Sequence, residues 1–144
     1  MRARRYLDSL LDYYDAVERQ KNRAERLFSS ATNTVSVMSD MPKSPSRDNQ
    51  AQEKRITAYA DCMNLARSME FELEKKRSDA IRMFSRLSRD RYEDVLYYRY
   101  IEVMKWTCVA HEMNISEGYA YKLHDRAVKE LETILADEPD TQPS

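Results

Sequence analysis

The side chains able to do chemistry in this 144-residue chain are few. Cys108 and His111 stand three apart and His124 follows, a spacing that superficially resembles that of a zinc finger. The position four after His124 is Val128, so a fourth ligand is missing; structural zinc is held by four protein groups, so no metal site is expected. Cys108 is expected to be a buried thiol, with His111 and His124 as surface imidazoles. Asp79 and Asp90, and the run Glu70, Glu72 and Glu74, fall on helical faces that read as solvated. With two histidines, no glycine-rich phosphate loop and no nucleophile elbow, neither an enzyme nor a cofactor is expected. The chemistry left is that of fixed charge. Residues 1–88 carry 17 basic and 13 acidic groups, residues 89–134 carry 7 and 9, and residues 135–144 carry 0 and 3.

The elements that must position these charges are helices. One glycine and four prolines leave too few turn formers for a sandwich or barrel. From Leu7 through Leu10, Tyr14, Val17, Lys21, Ala24 and Phe28 to Met38, apolar residues recur at alternating steps of 3 and 4, predicting one helix over 5–38 with Lys21 as its charged interruption. Ile56, Tyr59, Met63, Ala66, Glu70, Leu73, Arg77, Ala80, Phe84 and Leu87 repeat the pattern. Between the seams, residues 39–50 hold two prolines and a run of Ser, Asp and Asn, which predicts a loop. Two matched helices, each about 50 Å long, predict an antiparallel coiled-coil hairpin over 1–88. Leu11, Leu27, Ile81 and Met83 flank the seams and suit a second interface, so a homo-oligomer is expected. No apolar block marks a membrane span or signal peptide, which predicts a cytoplasmic protein with no membrane partner and with Cys62 and Cys108 reduced.

After Ser88 the heptads stop. Three shorter helices are predicted, over about 91–102, 106–113 and 117–135, with Ser116 as N-cap of the last and Ala120, Leu123, Ala127, Leu131 and Ile134 on its inner face. A short helix, a three-residue turn and a longer capped helix form the helix-turn-helix pattern, whose second helix enters the DNA major groove. The fold class is therefore all-α: a long antiparallel helical hairpin, then a helix-turn-helix domain over 89–135, then an acidic disordered tail over 136–144. Net charge in 89–134 is −2 (7 minus 9), so DNA binding requires the signs to be segregated, with Lys105, Lys122, Arg126 and Lys129 facing DNA and Glu130 and Glu132 elsewhere.

The stretches Tyr92–Glu102 (YEDVLYYRYIE) and Trp106–Leu131 (WTCVAHEMNISEGYAYKLHDRAVKEL) resemble the fourth region of bacterial sigma factors. Together with a preceding hairpin whose loop holds Met41-Pro42, they look still more like phage and prophage late-gene activators of the RinA/ArpU type. The resemblance implies a transcription regulator that binds double-stranded DNA. Carried over residue by residue, it places Glu117, Gly118, Tyr121 and Lys122 at base edges, Glu117 as acceptor from a cytosine amino group. Arg99, Lys105, Thr107, Arg126 and Lys129 suit phosphate contacts, and Tyr119 either reaches the backbone or covers the turn. Gly118 fits a close approach of DNA to the helix, or is a tolerated flaw. Trp106 reads as a core plug. The sequence departs from the pattern at Val103, Met104 and Lys105, where relatives have a glycine and a small cap, so that turn must close by other chemistry. Two alternatives stay open: an interaction protein whose helix-turn-helix docks on RNA polymerase or another factor, and a DNA-packaging subunit of a phage.

Overall fold

The computed structural model describes the backbone of residues 2–37 and 45–137 and the side chains of residues 2–30 and 50–137. The chain is all-α, with no strand among the described residues: α1 (Arg2–Val37), α2 (Pro45–Phe84), α3 (Asp90–Leu96) passing into a π-helical turn at Tyr97–Ile101, α4 (Trp106–Met113) and α5 (Glu117–Asp137). Within the loop expected over 39–50, α2 already begins at Pro45. The first helical position tolerates proline, because the missing N–H would have no partner there and the fixed φ is helical. The rest of that loop, 39–44, lies outside the described residues. Of the expected tail, 136–137 continue α5 and 138–144 lie outside the described residues.

The structure divides into two compact units, Tyr14–Leu73 and the described parts of Met1–Tyr13 with Glu74–Ser144. This differs from a hairpin over 1–88 followed by a separate 89–135. The reason is burial: α3, α4 and α5 do not close a core alone. Leu7 and Leu10 of α1 and Ala80 and Phe84 of α2 join Val95, Leu96, Val109, Leu123, Ala127 and Leu131 in one buried cluster. Leu11 and Met83, expected at a second interface, pack against this cluster. Leu7, Phe84, Val95, Leu96, Val109, Val128 and Leu131 are fully buried, each stabilising the fold by about 1.5–3 kcal/mol.

In the unit Tyr14–Leu73, α1 and α2 run antiparallel, with Val17, Ala24, Ala66 and Leu73 buried as the seams predict, whereas the seam positions Phe28 and Ile56 are about half exposed. The one charged position in the α1 seam meets a charged position of the α2 seam: Lys21 Nζ lies 2.6 Å from Glu70 Oε1, and that hydrogen bond holds the Lys21 pKa above its ordinary value. The buried Gln20 donates to the Cys62 carbonyl at 3.2 Å, so its amide is partnered.

The helix expected over 91–102 is not uniform. In the π-helical turn the N–H of Glu102 donates to the Tyr97 carbonyl, five residues back, at 3.1 Å. Residues five apart then share a face, which lets Val95 and Tyr100, and Leu96 and Ile101, all be buried.

Candidate nucleic-acid interface

The turn between α4 and α5 is built by three consecutive residues. Asn114 takes the left-handed conformation (φ 56°, ψ 45°) that its short polar side chain tolerates. Its N–H donates to the His111 carbonyl (3.1 Å) and that of Ile115 to the Ala110 carbonyl (3.0 Å), satisfying the end of α4 by the Schellman pattern. Ser116 Oγ then accepts from the Tyr119 N–H at 3.1 Å, the N-cap read from the sequence. The turn before α4 closes without a glycine. Val103 itself adopts φ 55°, strained for a β-branched residue, and Arg99 donates to the Met104 carbonyl at 2.8 Å while lying 5.2 Å over the Trp106 ring.

On α5, Ala120, Leu123, His124, Ala127, Val128 and Leu131 are buried. The opposite side presents Gly118, Lys122, Asp125, Arg126 and Lys129, all exposed. Asp125 lies 3.8 Å from the Arg4 guanidinium. Two of the carboxylates on the second half of α5, Glu130 and Glu132, are used by the fold, while Asp137 is exposed at its end. Glu132 accepts from the backbone N–H groups of Arg2 (3.2 Å) and Ala3 (2.6 Å), capping the start of α1. Glu130 accepts from the N–H (2.5 Å) and Oγ (2.8 Å) of Ser88. Between them, Gly118, Lys122, Asp125, Arg126 and Lys129 carry three cations and one carboxylate, with Glu117 and Asp137 exposed at the two ends of the helix, although the segment as a whole is net acidic.

Glu117, Gly118, Tyr121 and Lys122 come together, exposed, on the first two turns of α5, with Tyr119 beside them. Tyr121 is 44% exposed and its ring packs 4.7 Å from that of Trp106. Trp106 is half-buried and packs on the core rather than lying wholly within it. Lys105 and Thr107 are exposed at the start of α4, and Arg126 and Lys129 on α5. Arg99 is half-buried and is the one member of the phosphate set that the fold itself employs.

The expected places of the thiol and one imidazole are reversed. Cys108 is exposed and His124 is buried, whereas His111 is exposed. His124 falls one turn from Ala120 and Ala127, on the packed side of α5, and Cys108 falls beside the buried Val109 on the outer side of α4. His124 Nε2 is 2.7 Å from the Tyr100 hydroxyl, and its ring meets Trp106 edge-on at 5.0 Å. Burial holds the imidazole pKa below its ordinary value and pushes the Tyr100 phenol up to about 12. The phenol is thus protonated and the imidazole neutral; Nδ1 faces Asp125 Oδ1 at 3.8 Å, and in the tautomer protonated there Nε2 accepts from the Tyr100 hydroxyl. Among the described residues no three His, Cys, Asp or Glu side chains converge as metal ligands. Sequence reasoning missed Glu130, Glu132 and His124 as structural groups, because their partners lie 42, 129 and 24 residues away in the chain.

The class that this geometry defines is an all-α chain with, among its described residues, two long helices and three shorter ones, α4 and α5 being joined by a three-residue turn. Residues 50–132, from α2 to α5, match the family described as "Protein of unknown function (DUF1492)", and the chain belongs to that family. No curated protein and no solved structure matches it. No helix among the described residues is long and apolar enough to cross a membrane.

Proposed function

We propose that this protein is a sequence-specific DNA-binding transcription regulator of phage or prophage type, acting as a homo-oligomer in the bacterial cytoplasm. α5 lies in the major groove, with Glu117, Gly118, Tyr121 and Lys122 at base edges and Lys105, Thr107, Arg126 and Lys129 at phosphates. The observation that carries this reading is the sorting of charge on α5. Glu130 and Glu132 are bonded to Ser88 and to the start of α1, while Lys122, Arg126 and Lys129 share the outward side. Self-association is supported by Phe28, Ile56, Leu65 and Phe71, large apolar side chains that are each at least half exposed in the unit Tyr14–Leu73.

Selection from a random duplex pool, followed by titration of two variants, tests the reading. Lys122→Ala should cost about 1–3 kcal/mol on the selected duplex and relax its sequence preference. Arg126→Ala should weaken all duplexes about equally and lower the salt slope by about one unit. Absence of any enriched sequence would overturn the reading. The net charge of −2 over residues 89–134 (7 minus 9) favours the second reading, docking of the same surface on RNA polymerase. Under that reading both variants bind DNA like the parent and lose the polymerase in a pull-down.

A further inference from the structure

The α4–α5 segment is poor in cations for a DNA-binding surface, but the end of α2 is not. Residues 75–86, the last turns of α2 and the turn after it, carry five basic groups against one acidic one. Favourable interaction with the end of the α2 dipole accounts only for cations in its last turn, and Lys76 lies about two turns before that. The first turns of α1 and the last turns of α2 form a groove whose lining includes Tyr6, Ser9, Lys76, Asp79, Arg82 and Arg86. Its three cations are exposed; Lys76 lies 5.2 Å over the Tyr13 ring and Arg82 is 2.5 Å from Asp79. Such exposed pairs contribute little to stability, so this one leaves Arg82 available to a stronger anion.

Two residues beyond Arg86, Ser88 is bonded to Glu130. Glu130 is four residues beyond Arg126, hence one turn further along, at the border of the side that carries Arg126. The cationic end of α2 thus leads to the side of α5 that carries Arg126, within one compact unit. Lys76 to Arg82 covers about 9 Å of α2, the axial rise of about three base pairs, and Arg86 follows in the turn after the helix.

We propose that Lys76, Arg82 and Arg86 form a second contact surface for duplex DNA, and that what they bind is the sugar-phosphate backbone beside the groove entered by α5. The inference rests on the reading of α5 as the base-reading helix, since it assigns to α2 the phosphate contacts that α4 and α5 provide sparsely. Positively charged groups set along the end of α2 and the turn after it, in a groove open to solvent that also holds a carboxylate, match a linear polyanion better than a single small anion.

The test is the salt dependence of binding to a mixed-sequence 40-bp duplex and to the pool-selected duplex, from 50 to 200 mM salt. The variant Lys76→Gln/Arg82→Gln/Arg86→Gln is compared with Lys54→Gln/Arg55→Gln/Arg67→Gln, which removes the same charge from the other compact unit. Three lost phosphate contacts lower the slope by about 2.7, so that across this range the parent should lose about 40-fold more affinity than the first variant. The second variant should follow the parent, and the preference for the selected duplex should survive in both. An unchanged slope in the first variant, an equal change in both variants, or no binding of the mixed duplex by the parent overturns the inference. If no duplex is selected but the mixed duplex is bound with the slope change described, this surface stands and the base-reading role of α5 falls.

Discussion

Gly118 is the only glycine of the chain, and the fold gives no reason for it. It lies in the first turn of α5, its φ is not positive, and a Cβ added there would meet nothing within 4 Å. Neither turn geometry nor internal packing therefore requires the missing side chain. Helix-forming tendency opposes it by about 0.5–1 kcal/mol relative to alanine. Gly118→Ala should accordingly stabilise the protein by that amount, raising Tm by about 2–4 °C for a chain of this size. If the glycine serves the close approach of DNA to the start of α5, the same methyl should weaken the selected duplex about tenfold, or about 1.4 kcal/mol. Thermal unfolding by circular dichroism and fluorescence anisotropy on one labelled duplex read the two effects separately. A higher Tm with unchanged affinity would refute the close-approach argument and leave Gly118 as a tolerated flaw. A lower Tm would refute the premise that nothing in the fold needs it.

Three further outcomes follow from the packing of α5. The His124 pKa lies below its unfolded value of 6.5, chiefly through burial, so the unfolded chain binds the proton more readily; stability should be full above about pH 6.5 and fall as the pH drops toward the folded value. Urea unfolding at pH 7.5, 6 and 5 should show this for the parent, and His124→Gln should lose that part of the pH dependence while still accepting from Tyr100; an equal dependence in both would assign it elsewhere. Glu132→Ala removes the acceptor of the Arg2 and Ala3 N–H groups and should cost about 1–3 kcal/mol in urea unfolding, with duplex affinity retained under folding conditions. A loss of binding without loss of stability would place Glu132 in the interface instead. Light scattering at tens of micromolar should give a dimer or larger, and Phe71→Asp, at a side chain 66% exposed, should shift it toward monomer; a monomeric parent removes self-association and the two-fold repeated operator that it implies.

Periodicity alone determined the helices and the inner faces of most of them. The 3 and 4 alternation of the two seams placed Val17, Ala24, Ala66 and Leu73 correctly, and Asn114-Ile115-Ser116 announced both the end of α4 and the cap of α5. These signals are legible because they are local: helical spacing and capping act within a turn or two of the chain. What surrounds α5 was decided only by tertiary structure. Net charge over 89–134 reads as −2 because a sum along the sequence cannot separate Lys122 on the open side from Glu132 bonded to the start of α1. Likewise the seam through Leu7, Ala80 and Phe84 reads as hairpin in the sequence but belongs to the core that α3, α4 and α5 complete, since an apolar stripe specifies burial and not its partner. Burial of His124 against Tyr100, and closure of the turn at Val103 by Arg99, depend in the same way on groups brought together only when the helices pack.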